Sequence, residues 1–155
     1  MQMRDCYRIA ERFLYRYRRN KAEADAFEEG CSYKADCMGG EGVKSSGISD
    51  PTARGGMRLA EPPDDVKELQ RWTWSIETAW ADLMHNEPPK ARILEVYYGL
   101  NNMNGRRRED SLKVRLQVME ELHISERTFY NWKNDAVGAV IFAAIQKGAL
   151  KPFNR

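Results

Sequence analysis

The stretch Leu122-His123-Ile124-Ser125-Glu126-Arg127-Thr128-Phe129-Tyr130-Asn131-Trp132-Lys133 says more about the fold than any other part of this 155-residue chain. Ahead of it, Val114, Val118, Met119 and Leu122 recur at the spacing of a helix with one buried face. Asp110 or Ser111 stands where that helix begins, and His123 is near its end. Ser125 is placed to cap a second helix, on which Phe129 would meet Ile124 and the apolar side of the first. The spacing therefore predicts a helix-turn-helix over residues 111–145, its two helices held at a fixed angle across a tight turn.

On the second helix Glu126, Arg127, Thr128, Tyr130, Asn131 and Lys133 are expected on faces free of the core, with Phe129 buried and Trp132 a half-buried strut. These are residue types that suit a major groove. Arginine can give two parallel hydrogen bonds to guanine and asparagine two to adenine, so Arg127 and Asn131 are candidates for base reading. Thr128 and Tyr130 can reach phosphates or a thymine methyl. Lys133, with Arg106, Arg107, Arg108, Lys113 and Arg115, would supply sequence-independent phosphate contacts. A plain helical hairpin within a bundle would bury the same Leu122, Ile124 and Phe129, and it is the competing reading of this segment.

Upstream of this unit the same helical period recurs and no strand pattern is found. Met3, Tyr7, Ala10, Leu14 and Tyr17, widened by Cys6, Ile9 and Phe13, predict an amphipathic helix over residues 3–29. Its other face carries Arg4, Arg8, Arg12, Arg16, Arg18, Arg19 and Lys21, which reads first as a solvated surface and second as a contact to a DNA backbone. Residues 30–49 are rich in Gly and Ser without a period, as a flexible linker is, and Asp50-Pro51-Thr52-Ala53 supplies a helix start. After Pro62-Pro63 a helix to about His85 carries Val66, Leu69, Trp72, Ile76, Ala79 or Trp80, and Leu83 on one side, with Trp72 and Trp80 expected as core anchors rather than base-stacking platforms. Pro88-Pro89 opens another helix that buries Ile93, Leu94, Val96, Tyr97 and Leu100 and stops at Gly99 and Asn101-Asn102. The expected organisation is all-α: a basic helical arm (1–29), a flexible linker (30–49) and a helical domain (50–155) ending in the helix-turn-helix.

Composition narrows the function classes. Lys and Arg number 25 against 23 Asp and Glu, so net charge alone gives no polyanion signal and local clusters must carry it. Cys6, Cys31 and Cys37 are odd in number and lack histidine partners at metal-site spacing, which predicts reduced thiols, a cytoplasmic setting and no metal or other cofactor. Met1 to Arg8 is too charged for a secretory signal, and the longest nearly apolar run, Ala136 to Ile145, is too short to span a bilayer. No HExxH, phosphate-binding glycine loop or convincing Ser, His and acid set points to an enzyme. On the second helix of the terminal pair, Val137, Val140, Ile141 and Ala144 would face inward while Phe142 and Ile145 fall partly on another face. That extra apolar area needs a cover, either the Trp72 and Trp80 helix or a second copy of the chain in a homo-oligomer.

The wording of Leu122-His123-Ile124-Ser125-Glu126-Arg127-Thr128-Phe129-Tyr130-Asn131-Trp132 resembles the terminal helix-turn-helix of the ArpU and RinA type phage transcriptional regulators. Ser49-Asp50-Pro51-Thr52-Ala53-Arg54, after a basic helix and a Gly/Ser-rich segment, is similar to the middle of that family. The layout, with Tyr97 in the preceding helix, also resembles the promoter-reading region 4 of bacterial sigma factors, while nothing resembles their strand-opening region. The resemblance implies a phage- or prophage-encoded protein of a bacterial host that binds double-stranded DNA at late-gene promoters and acts with the host RNA polymerase. A DNA-packaging protein like the small subunit of terminase, which also joins a helix-turn-helix to oligomerising helices, is the alternative.

Overall fold

The computed structural model describes residues 2–38, 62–101 and 111–151, and every regular element among them is a helix. In chain order these are α1 (Met3–Tyr15), α2 (Tyr17–Met38), α3 (Asp64–Asn86), α4 (Pro88–Tyr97), α5 (Ser111–Glu121) and α6 (Glu126–Gln146). The expected helix start at Asp50 and the triplet Arg106 to Arg108 lie outside the described residues.

The expected first helix is two. Its backbone breaks at Arg16 (φ −103°, ψ 5°), between an α1 that buries Cys6, Ala10, Phe13 and Leu14 and an α2 that buries Tyr17, Asn20 and Ala24. The break lets each half pack on a different neighbour: α1 lies on α6 and α2 on α3. Tyr15 turns towards Tyr97 and Tyr98, at ring-centroid distances of 6.5 and 5.0 Å, while the Tyr17 hydroxyl donates to Glu77 of α3 at 2.9 Å. Helix α2 continues through Gly30 to Met38, so the segment expected as linker begins inside a helix. Nor is the N-terminal region set apart as an arm, because Cys6, Ala10, Phe13, Leu14 and Tyr17 share one apolar core with residues of α3, α4 and α6.

The remaining elements form largely where composition places them. Pro62 and Pro63 precede α3, whose first turn carries Asp64 and Asp65, favourable at the positive end of the helix dipole. Trp72 is 1% exposed and stacks on Phe13 (4.4 Å, 7°), and Trp80 is half-buried with its indole N–H donating to Glu95. Pro88 and Pro89 occupy the first turn of α4, where the missing N–H groups cost no hydrogen bond. Gly99 takes a left-handed φ of 72° just beyond α4, turning the chain so that Tyr98 and Leu100 are both buried.

At the centre is α6, whose residues Phe129, Ala136, Val137, Val140, Ile141, Ala143 and Ala144 are buried against α1, α3 and α4. Gly148 (φ 71°) reverses the chain after it, and Leu150 folds back with its N–H bonded to the Ala144 carbonyl. Of the apolar surface expected to need a cover, Ile145 is half-buried and Phe142 remains 64% exposed, as does Trp74 of α3. No helix among the described residues is long and apolar enough to cross a membrane.

Candidate nucleic-acid interface

Helices α5 and α6 are joined by Leu122-His123-Ile124-Ser125. The turn is closed by backbone bonds, Leu122 N–H to Val118 C=O (3.0 Å), His123 N–H to Glu120 C=O (3.3 Å) and Ile124 N–H to Met119 C=O (3.0 Å). His123 adopts φ 51°, the left-handed conformation that ends many helices and that glycine takes at least cost. Ser125 caps α6 as expected: its backbone is extended, and its Oγ accepts from the Thr128 N–H at 3.2 Å. The Thr128 hydroxyl lies 2.9 Å from the same Oγ, so this side chain is engaged at the cap.

Below the turn Phe129 is fully buried, its ring edge-on to Tyr97 at 5.3 Å, and Trp132 packs half-buried against the core. Val118 is the fully buried residue of α5, with Val114, Met119, Leu122 and Ile124 packed more loosely around it. Helix α5 rests chiefly on α4, where Arg92 bridges Glu95 (2.9 Å) and Glu121 (2.7 Å). Those two carboxylates, Glu121 first, hold the Arg92 pKa above its ordinary value.

The expected contact residues divide into three groups. Arg127 and Asn131, one turn apart, are exposed, and neither has a hydrogen bond or ion pair to another described residue. Lys113 is likewise exposed on α5. Arg115, Glu126 and Tyr130 form a bridge between the two helices: the Arg115 guanidinium pairs with Glu126 at 2.9 Å, donates to the Tyr130 hydroxyl and lies 5.6 Å from that ring's centroid. Arg115 thus fixes the α5–α6 angle instead of standing free for phosphate.

Lys133, expected among the phosphate contacts, is withdrawn from the surface. Its side chain is 13% exposed, its ammonium pairs with Glu11 of α1 at 2.8 Å, and it sits 5.4 and 5.8 Å from the ring centroids of Tyr97 and Tyr7. Burial disfavours the charged lysine, but Glu11 and the flanking tyrosines outweigh it and hold the Lys133 pKa above its ordinary value. Glu11 also accepts from the Tyr98 hydroxyl at 2.8 Å, and burial followed by the Glu11 charge pushes that phenol far up. One signal in the sequence points inward: Phe129, Lys133, Ala136, Val137 and Val140 lie in line on a helix, so a lysine there must find a buried acid.

Sequence reading missed the residues that hold α6 in place. Besides Glu11, Tyr7 of α1 donates to Asn134 Oδ1 at 2.8 Å, and Lys90 at the start of α4 pairs with Asp135 (2.9 Å) and Glu87. Each partner of α6 is more than 40 residues away in the chain, so local spacing carries no trace of the pairing. The arrangement presents one polar helix face, Arg127 and Asn131 with Tyr130 at its edge, on a helix clamped from behind by three others. No family model, no curated protein and no solved structure matches the chain.

Proposed function

We propose that this chain is a sequence-specific double-stranded DNA-binding transcriptional regulator that places α6 in the major groove. The observation that carries the reading is the contrast between the two sides of α6, fully buried at Phe129, Ala136, Val137 and Val140 and open at Arg127 and Asn131. A helix fits the major groove, and rigid backing pre-orients the two side chains whose hydrogen-bonding forks match guanine and adenine edges. Tyr130 and Lys113 flank them as backbone contacts, and Lys133 and Arg115 serve to set the helix rather than to touch DNA. Action with a host RNA polymerase at phage late promoters rests on the resemblance of Leu122 to Trp132 to the ArpU and RinA type regulators.

Selection of bound duplexes from a random library, followed by binding measurements on the selected site, tests the reading. Arg127→Ala and Asn131→Ala should each weaken binding to that site by roughly 1–3 kcal/mol while leaving random-sequence binding nearly unchanged. A double variant that discriminates the selected site as well as the parent protein would sink the assignment.

A further inference from the structure

The N-terminal helix meets α6 through two specific ties, Tyr7 to Asn134 and Glu11 to Lys133. Both involve the same edge of α1, and Arg4 and Arg8 belong to that edge, because residues three and four apart lie one above the other on a helix. Both arginines are exposed and neither has a partner among the described residues. On α6, Asn134 is one turn beyond Asn131 and two beyond Arg127, so the Tyr7 tie sets this edge of α1 against the helix that carries the candidate base contacts. Tyr7 meets Asn134 and Glu11 meets Lys133, so the helices run antiparallel and Arg8 is the nearer cation, Arg4 the farther. The acids in this neighbourhood are Glu11, engaged by Lys133 and Tyr98, Asp135, engaged by Lys90, and Asp5, exposed beside Arg4 and accepting from the Gln2 N–H at the start of the helix.

We infer that α1 is a second part of the DNA surface, with Arg4 and Arg8 neutralising backbone phosphates beside the groove that receives α6. The inference rests on the DNA-binding reading of α6 and adds an element tied to it across 127 residues of sequence. In this arrangement Tyr7 and Glu11 are positioning residues, since they hold the phosphate contacts of α1 in register with the face of α6.

Binding of random-sequence duplex DNA, measured over a series of salt concentrations, provides the test. Each neutralised phosphate contributes about 0.9 to the slope of log affinity against log salt, so Arg4→Gln with Arg8→Gln should lower that slope by about 2. Lysine at both positions should restore it. A charge-matched control, Arg71→Gln with Lys147→Gln, alters the cations around Trp74, which packs with Lys147 beyond the end of α6 opposite Arg127, and should leave the slope unchanged. A parental slope in the Arg4 and Arg8 variant overturns the inference, as does an equal loss in the control, which would mean that net charge alone is being read. If the parent protein does not bind duplex DNA even at low salt, the α6 reading falls and this inference with it. A parent that binds and discriminates while the Arg4 and Arg8 variant keeps its slope removes only the role of α1.

Discussion

Helices α5 and α6 are consecutive and joined by one tight turn, yet they are held in opposite ways. Helix α6 buries seven residues against three other helices and is tied by ion pairs to α1 and α4. Helix α5 buries only Val118, rests mainly on α4 and leaves Leu112 and Leu116 more than half exposed. Two helices joined by a tight turn are often pictured as positioning each other. Here the second helix takes its position from residues throughout the chain, and the first is an attachment that the Arg115 bridge aligns to it.

The largest expected effect breaks the comparison from the side of α6. Phe129→Ala should destabilise the whole protein by about 3–5 kcal/mol, because a fully enclosed ring against Tyr97 is removed and its rigid surroundings leave a cavity. Equilibrium denaturation should show a loss of global stability, with no helix spared.

Val118→Ala makes the complementary test on α5. It should cost about 2 kcal/mol, since two methyl groups and their packing are lost at the one closed contact of that helix. The comparison predicts that hydrogen exchange in α5 accelerates well before that in α6. Uniform acceleration in both would show that α5 is part of the same cooperative unit.

Lys133→Met should cost about 1–3 kcal/mol, because Glu11 loses its charged partner in a half-buried setting. The pH dependence sharpens this. Lys133 and Tyr98 both hold their protons more tightly in the folded chain than their ordinary values allow. Their contribution to stability is therefore complete below the unfolded pKa values, about 10, and is lost as pH rises through the higher folded ones. The melting temperature should be level near neutrality and drop above about pH 10, with a smaller alkaline drop in Lys133→Met.

The smallest effect has the opposite sign. Gly138 lies within α6, and a Cβ added there would have no atom within 4 Å. Gly138→Ala should stabilise the protein by about 0.5–1 kcal/mol through the unfolded chain's lost freedom, read as a higher melting temperature. A destabilised variant would mean that the outer face of α6 is covered in solution.

Much of the fold was legible because its signals are local. Pro62-Pro63 and Pro88-Pro89 mark the helix starts, Gly99 marks a stop, Ser125 is a cap, and the apolar positions of α3, α4 and α6 keep helical period. The bend at Arg16 was not legible, since apolar residues continue in phase across it and only the need to pack on two different partners separates α1 from α2. The same limit applies to the candidate interface. Arg127 and Asn131 emerged from residue type and helix phase, whereas Arg115 and Lys133 read as free cations until Glu126, Tyr130 and Glu11 were found beside them.

By itself the sequence determined that this chain is helical, where most of its helices begin and end, and that residues 122–125 turn between two of them. Those properties follow from backbone geometry and side-chain period, which act over a few residues. Only the tertiary structure decided which cations stay in solvent and which serve as struts. A charge can be buried only where an opposite charge and hydrogen-bond partners meet it, and for Lys133 both come from Glu11, itself held by the Tyr98 hydroxyl, on segments that the chain brings together only when folded.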